Sequence, residues 1–561
     1  MTPLMFPNHP WTKLETPGER PKRRMGRDFM AEREGIPKGW WVLGAILLVG
    51  GTAWGWIRWR APARTTAQPL VALVLPPEIE GPEAGWLGRA LWDSVDQILI
   101  GDPKLQLVHI PQVEMALKGL DAPGRARPEF LATRFGAQRV ISLLGSTQGN
   151  NLLVRVRIWD SHERTLHSVG MVKGDLSSPD LFLQALLAKL REALELPIGV
   201  GPPPNRLPHH LEAWKAYGRA LGGLEAGDPK LVGASLADLR ICLNLEPTFI
   251  PARIRWAIGL GEQFVQAGWF LPGESRRNEL KAFEEAIFKA QTLDPTHPQV
   301  RLLAARQAFL NQNFQAAITQ AEALLREDPN LLDADIILAD SHLALPGPEA
   351  RDQAKKRLER VLAMGDSRYY PNFRLAAVNL QEGNLDRALE LGDRLIQGWP
   401  DRPMSYVMPS NALLWLNRPE EARQRLDAGL LRFPEAKLLH RNRAYAAFEA
   451  KDGPALEREL AFAEGAWTHD QSTAILVRGL RPALNGDLPA TQAIYESFLE
   501  QLRNQPVAAS GDTLAASVDL YFMARTLAAL GDPAKGRPYL EAAGRIFPSW
   551  SRPTRMDPAF R

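Results

Sequence analysis

The residue types in this chain that could perform chemistry are the neighbours His209-His210, the acidic pairs Glu284-Glu285 and Glu420-Glu421, and the single cysteine Cys242. Adjacent helical positions do not share a face. No carboxylate stands at a spacing that would complete a metal site around the two histidines, so they read as solvated. The acidic pairs fall near the ends of helical first turns, where a carboxylate complements the backbone dipole. One cysteine excludes an intramolecular disulfide and any cysteine-rich metal, iron–sulfur or CxxCH haem site. Cys242 lies on the apolar stripe of SLADLRICLNLEP, as a buried small hydrophobe would. The chain contains no GxxxxGK[ST], GxSxG, HExxH, HRD or DFG pattern. These readings predict a non-enzymatic protein with no cofactor and no metal, whose chemistry is recognition.

Composition narrows the partners. Net charge is +3 over 561 residues, which sets up no global field for nucleic acid. The basic excess is local: residues 1–38 hold eight Lys/Arg against five Asp/Glu, and Arg58, Arg60 and Arg64 follow. Between them, Gly39–Ile57 is an uncharged run with Trp40 and Trp41 at one end and Trp54, Trp56 and Trp59 at the other. An apolar stretch of this length with indoles at both ends predicts a transmembrane helix over 39–59. The larger cationic flank places the N-terminus in the cytoplasm, so residues 1–38 form a disordered basic cytoplasmic tail. The expected location is a bacterial inner membrane, crossed once, with the bulk of the chain in the periplasm. Gly51 and Gly55, in small-xxx-small spacing, would let two such helices pack as a homodimer.

Beyond the short linker APARTTAQP the pattern becomes mixed. Apolar runs at 70–75, 105–110, 139–144, 152–159 and 164–173 read as strands. Arg155 and Arg157 share a solvent face of the alternating LLVRVRIW. Helical spacing appears at 85–100, 111–117, 128–135 and 179–194, the last with Ser178 as cap and Pro179 at its first position. This predicts a small α/β domain over 66–196. PIGVGPPPNRLP at 197–208 is a stiff proline-rich linker.

From 209 to 561 the sequence is helix after helix with a period. Pro295 and Pro329 stand 34 residues apart, and so do Pro400 and Pro434; Ala317, Ala388 and Ala422 each precede a closing proline by twelve. A 34-residue helix–turn–helix period, with a small residue at each crossing, predicts an all-α tetratricopeptide solenoid. The segment before it resembles the TolB amino-terminal-like domain. The resemblance rests on the Leu70–Pro76 strand, Gly85-Trp86-Leu87-Gly88, VISLLGS at 140–146 and the hairpin at 152–169. The expected fold class is therefore multidomain: one transmembrane helix, a small mixed α/β domain, then the solenoid.

The tetratricopeptide resemblance implies a concave face built from each first helix, on which a protein or peptide partner lies. Carried over repeat by repeat, the inward positions are Arg306, Tyr370, Asn411, Arg441 and Tyr445. The implied function is a membrane-anchored periplasmic protein-binding module, a sensing or adaptor half of a signalling system, with a scaffold for an envelope biosynthesis or secretion complex as the alternative.

Overall fold

The run LVALV forms strand β1 (Leu70–Val74) and stops at Pro76-Pro77, which cannot donate to a ladder. Strand β2 (Glu78–Glu80) resumes beyond the prolines, so β1 and β2 line one edge of β4 (Arg139–Gln148) in turn. With β3 (Leu105–Val108), β5 (Asn151–Asp160) and β6 (Thr165–Asp175) they make a mixed sheet of order β3-β1-β4-β5-β6. β3, β1 and β4 are parallel, and β4, β5 and β6 antiparallel. Helices α1 (Ala84–Leu99), α2 (Ile110–Lys118), α3 (Pro128–Phe135) and α4 (Pro179–Ala193) pack on it. In this computed structural model the described residues are 69–118, 128–197, 203–225, 229–267, 273–345, 347–365, 368–466, 472–504, 513–546 and 560.

The remainder is a stack of helix pairs, nine among the described residues. They are α5 (Leu211–Glu225) with α6 (Pro229–Leu245), α7 (Ile250–Ala267) with α8 (Gly273–Leu293), and α9 (Pro298–Leu310) with α10 (Phe314–Glu327). Then come α11 (Leu332–Ala344) with α12 (Pro348–Ala363), α13 (Tyr369–Gln381) with α14 (Leu385–Gly398), and α15 (Pro403–Trp415) with α16 (Pro419–Leu430). The last three are α17 (Lys437–Glu449) with α18 (Gly453–Ala466), α19 (Ser472–Leu484) with α20 (Leu488–Asn504), and α21 (Thr513–Ala529) with α22 (Pro533–Ile546). Two physical features set the pair. Ala317, Ala354, Ala388 and Ala422 are buried on the second helices, where a small side chain lets two helices approach. The first helices are closed by left-handed residues at Gln312, Gly383, Asn417, Lys451, Gly486 and Gly531, which turn the chain into the second helix.

Two expectations are corrected. Among the described residues no helix is long and apolar enough to cross a membrane. The longest, α8, opens GESRRNELK and carries charge on every turn of its first half. The fold class is thus a mostly helical repeat stack with a small mixed sheet, and the inner-membrane location with a periplasmic bulk falls with the spanning helix. Residues 1–38, 39–59, Gly51 and Gly55 lie outside the described residues.

The sheet does not stand apart from the stack. One hydrophobic core runs from Ala72 through the sheet and α1 into Trp214 and Tyr217 of α5, Leu239 of α6 and Ala252 of α7, and residues 68–561 form one compact unit. Helix α1 is apolar on one face against the sheet, yet Asp93, Ser94, Asp96 and Gln97 on its other face are buried too, where α5 packs on it and α7 and α9 reach Asp93 and Gln97. Gly218 makes that approach possible: a Cβ there would stand 2.6 Å from the Trp86 carbonyl oxygen and 3.0 Å from Ala90 Cβ. Trp86 and Trp214 meet edge-to-face at 5.6 Å, and Trp214 Nε1 donates to Ser94 Oγ at 3.2 Å. The described part of the proline-rich segment is pinned as well. Leu207 is buried, Arg206 pairs with Asp294 at 2.8 Å, and Asn205 donates to the Leu293 carbonyl at 3.2 Å.

Candidate protein-binding surface

The first helices α9, α11, α13, α15, α17, α19 and α21 pack on one another along the stack and form its inner row. Their polar side chains are mostly turned inward and satisfied. Asn442 Nδ2 on α17 donates to Ser410 Oγ at 2.9 Å and to Asn411 Oδ1 at 2.8 Å on α15. Such bonds between successive pairs fix their register, since an unpaired buried amide would cost the full desolvation penalty.

The five residues expected on the concave face separate into two groups. Asn411, Arg441 and Tyr445 are interior, at 4%, 1% and 1% exposure. Asn411 is spent on Asn442. Arg441 donates from Nε to Asn442 Oδ1 at 2.9 Å and from Nη1 to Asp519 Oδ1 at 3.1 Å. Tyr445 stacks on Phe522 with ring centroids 4.2 Å apart, and burial together with Glu449 pushes its phenol well above the usual range. The physical reason is the chain itself: α21 lies against α15, α17 and α19 and covers the positions that a partner would have touched. Arg306 and Tyr370 are half-buried and lie where the row is less covered, on α9 and α13.

Around those two residues stands a charged group drawn from three first helices and the turn before α13. Tyr370 donates its hydroxyl to Asp340 Oδ2 at 2.7 Å, and Arg374 donates from Nε to Asp340 Oδ1 at 2.7 Å. Arg374 also lies 6.0 Å from the centre of the Tyr370 ring. Arg368 donates to Asp333 Oδ1 at 2.7 Å, and the Asp333 side chain is 44% exposed. Burial would raise the Asp333 pKa, but Arg368, Arg306 and His109 together hold it below the usual range. Burial raises the Tyr370 phenol, and Asp340 adds to the effect. Among the described residues none accepts a hydrogen bond from Arg306; its charge acts on Asp333 and Tyr370 through space.

A third group, which the sequence reading missed, joins the sheet to the stack. Asp93 on α1 accepts from the Tyr217 hydroxyl and from Arg255 on α7. Gln97 bonds Gln299 on α9 at 3.0 Å, and His109 at the start of α2 meets Asp328 beyond α10 at 2.8 Å. Burial would lower the His109 pKa, but the hydrogen bond and charge of Asp328, with Asp96 and Asp333 behind it, raise it to about 9. Asp96 is raised to about 6, chiefly by burial and then by Asp93, against the pull of His109. Among the described residues no group of three or more His, Cys, Asp or Glu side chains is arranged to hold a metal ion. Cys242 is buried, and burial pushes its thiol well up, so it is an inert core residue.

Comparison with known proteins places the helical part. Residues 351–403, from α12 into α15, match the tetratricopeptide repeat family. No curated protein matches the sequence. The structure is similar to a tetratricopeptide repeat protein from Parabacteroides merdae at 12% identity, over 49% of this chain and 99% of that one, with a TM-score of 0.33. It is similar also to the Cut9-Hcn1 hetero-tetramer of the APC/C at 13% identity, over 61% and 76%, TM-score 0.33. Yeast Tom70 is similar at 13% identity, over 61% and 88%, TM-score 0.24. The chain carries tetratricopeptide repeats, a protein-interaction module.

Proposed function

We propose that this chain is an adaptor or scaffold that binds an extended, acidic segment of a partner protein at the inner face of α9, α11 and α13. The observation that carries the reading is Arg306. Among the described residues it is a cation without a hydrogen-bond acceptor, beside the rigid half-buried ring of Tyr370 and the exposed edge of the Arg368–Asp333 pair. A carboxylate arriving there would gain a charge-assisted bond that the folded chain leaves unmade. Tyr370 would supply apolar area at low conformational cost. Asp340 holds Tyr370 and Arg374 in place, which preorganises the surface. On sequence grounds we assign residues 66–196 to a TolB amino-terminal-like domain; its docking beside Asp328 and Asp333 puts it at the edge of this surface.

The test is photo-crosslinking from a probe installed at Gln307, next to Arg306 on α9, in the full chain. Wild type should yield discrete adducts that Arg306→Glu abolishes while Arg306→Lys retains part of them. Adducts unchanged by Arg306→Glu would sink the reading.

A further inference from the structure

Helix α21 sits where an ordinary last repeat would not. In a solenoid each pair contacts only its neighbours. The first helix of a pair normally wedges between both helices of the preceding one, as α17 does against α15 and α16. Helix α21 leans on α19 and touches its immediate predecessor α20 little. It reaches two and three pairs back instead. Arg525 donates from Nη1 to the Leu414 carbonyl of α15 at 2.9 Å, and Tyr521 meets Trp415 of α15 with centroids 4.5 Å apart. Phe522 lies between Tyr445, stacked at 4.2 Å, and Arg441, 5.8 Å away. Asp519 takes Arg441 at 3.1 Å and accepts from Ser472 Oγ at 2.6 Å and Thr473 Oγ1 at 2.8 Å on α19. Arg525 also pairs with Glu449 at 3.2 Å. From Ala516 to Leu527 every side chain of α21 is buried. A helix buried all round has been inserted rather than laid on an end.

We propose that α15, α17 and α19 form a receptor groove for a largely apolar helix, that α21 is its resident ligand, and that a partner helix of the same chemistry takes the groove by displacing the α21–α22 hairpin. The ligand chemistry is specific. A carboxylate, two aromatic rings and a guanidinium stand in the i, i+2, i+3, i+6 order of Asp519, Tyr521, Phe522 and Arg525. Each has a partner in the groove: Arg441 for the carboxylate, Trp415 and Tyr445 for the rings, and the Leu414 carbonyl with Glu449 for the guanidinium. The site is distinct from the surface around Arg306, and its test stands apart from the test of that reading. A partner helix meets a groove already filled, so its apparent affinity is its intrinsic affinity reduced by the fraction of time that α21 is away.

The experiment uses the full chain and a labelled synthetic peptide of residues 513–531. Binding is measured by fluorescence anisotropy to wild type and to the triple variant Asp519→Ala, Phe522→Ala, Arg525→Ala, which disarms the resident helix and leaves every groove residue intact. The peptide should bind the variant at least about tenfold more tightly than wild type. A peptide carrying the same three substitutions should bind neither. A folded variant that does not bind the wild-type peptide overturns the proposal. A second measurement needs no variant: hydrogen exchange of the unaltered chain. Amides of α21 should exchange through a local opening that leaves α15, α17 and α19 protected. Exchange of α21 only together with α19 would make it an ordinary structural repeat, and the proposal would fall.

Discussion

At the amino-terminal end of the stack the sheet closes on α5 and α7 through Asp93, on α9 through Gln97 and on the turn after α10 through His109; at the other end α21 closes on α15, α17 and α19 through Tyr521, Phe522 and the Arg441–Asp519 pair. Both covers bury a polar face of the inner row, but with different chemistry. The sheet contact includes a carboxylate raised to about 6 and a histidine raised to about 9. The α21 contact pairs guanidinium with carboxylate and wraps the pair in aromatic rings. The difference teaches that one array can have one end sensitive to proton concentration and the other to competition by a helix. Between them lies the segment around Arg306 and Tyr370, the surface we propose for a partner.

The comparison breaks most sharply at Asp519. Arg441 is fully buried, and Asp519→Ala removes its carboxylate and leaves it, among the described residues, Asn442 and the Phe522 ring. Removing one partner of a buried pair costs about 3–5 kcal/mol. The loss should appear as protease sensitivity of α21 and α22 with the sheet still docked. Equal loosening at both ends would mean that the two covers are one cooperative unit.

Gly218→Val attacks the opposite end. The Trp86 carbonyl oxygen at 2.6 Å from the added Cβ belongs to backbone and cannot swing away. Overpacking of this kind costs about 1–3 kcal/mol and here belongs at the upper end. Chemical denaturation followed at the Trp86–Trp214 pair should shift to lower midpoint, while α21 keeps its exchange protection.

Proton dependence sharpens the contrast. The His109 pKa is raised to about 9 from 6.5, so its contribution is fully present below pH 6.5 and is lost as pH rises through 9. Asp96 is raised to about 6 from 3.8, so the folded state favours its neutral form, and stability falls as pH rises from 3.8 through 6. Both steps run in the same direction, each worth about 3 kcal/mol at most for so buried a group. Asp93, Arg255, Asp328 and Asp333 surround the pair and couple the two steps. Urea midpoints of the sheet contact should therefore fall between pH 6 and pH 9.5, and His109→Gln should flatten the alkaline part. A wild-type midpoint that rises over that range contradicts the assignment.

Much of this organisation was readable before any coordinates. LLVRVRIW alternates, and the structure buries Leu152, Val154, Val156 and Ile158 while Arg155 stays exposed. The 34-residue spacing of proline and alanine recurs as Pro403 to Lys437 and Pro298 to Leu332 at the starts of first helices. What the sequence hid is long-range. Arg441 and Tyr445 are buried, and the residues that cover them lie far along the chain, 78 positions further on in the case of Asp519. No local pattern reports such a fold-back. The available hint was polar residues inside an apolar run, Asp519 and Arg525 in SVDLYFMAR and Asp93 with Asp96 in LWDSVDQIL. A charge in such a run must find a partner or be neutralised: Asp519, Arg525 and Asp93 are paired, and burial raises the Asp96 pKa to about 6. The apolar stretch at 39–57 was read from length and indoles alone; it lies outside the described residues, among which no helix is long and apolar enough to cross a membrane.

The smallest expected effect on stability separates the surface between the covers from the covers themselves. Tyr370 is tied to Asp340, and Tyr370→Phe should cost about 1 kcal/mol, the net worth of one hydrogen bond plus part of an unmet acceptor. Arg374 still donates to that carboxylate, which limits the loss. Among the described residues Arg306 has no acceptor to lose. Its charge lies near Asp333, whose side chain is 44% exposed, so solvent screens the attraction. Arg306→Ala should therefore change the midpoint by less than about 0.5 kcal/mol, within the range of ordinary surface substitutions. A residue that the fold does not need, placed on the inner row among residues that it does need, is available for a partner. The measurement is a denaturation midpoint at constant pH for Arg306→Ala beside Tyr370→Phe. A loss for Arg306→Ala as large as that of Tyr370→Phe would show that the guanidinium holds the stack together, and the surface assigned to a partner would be structural instead.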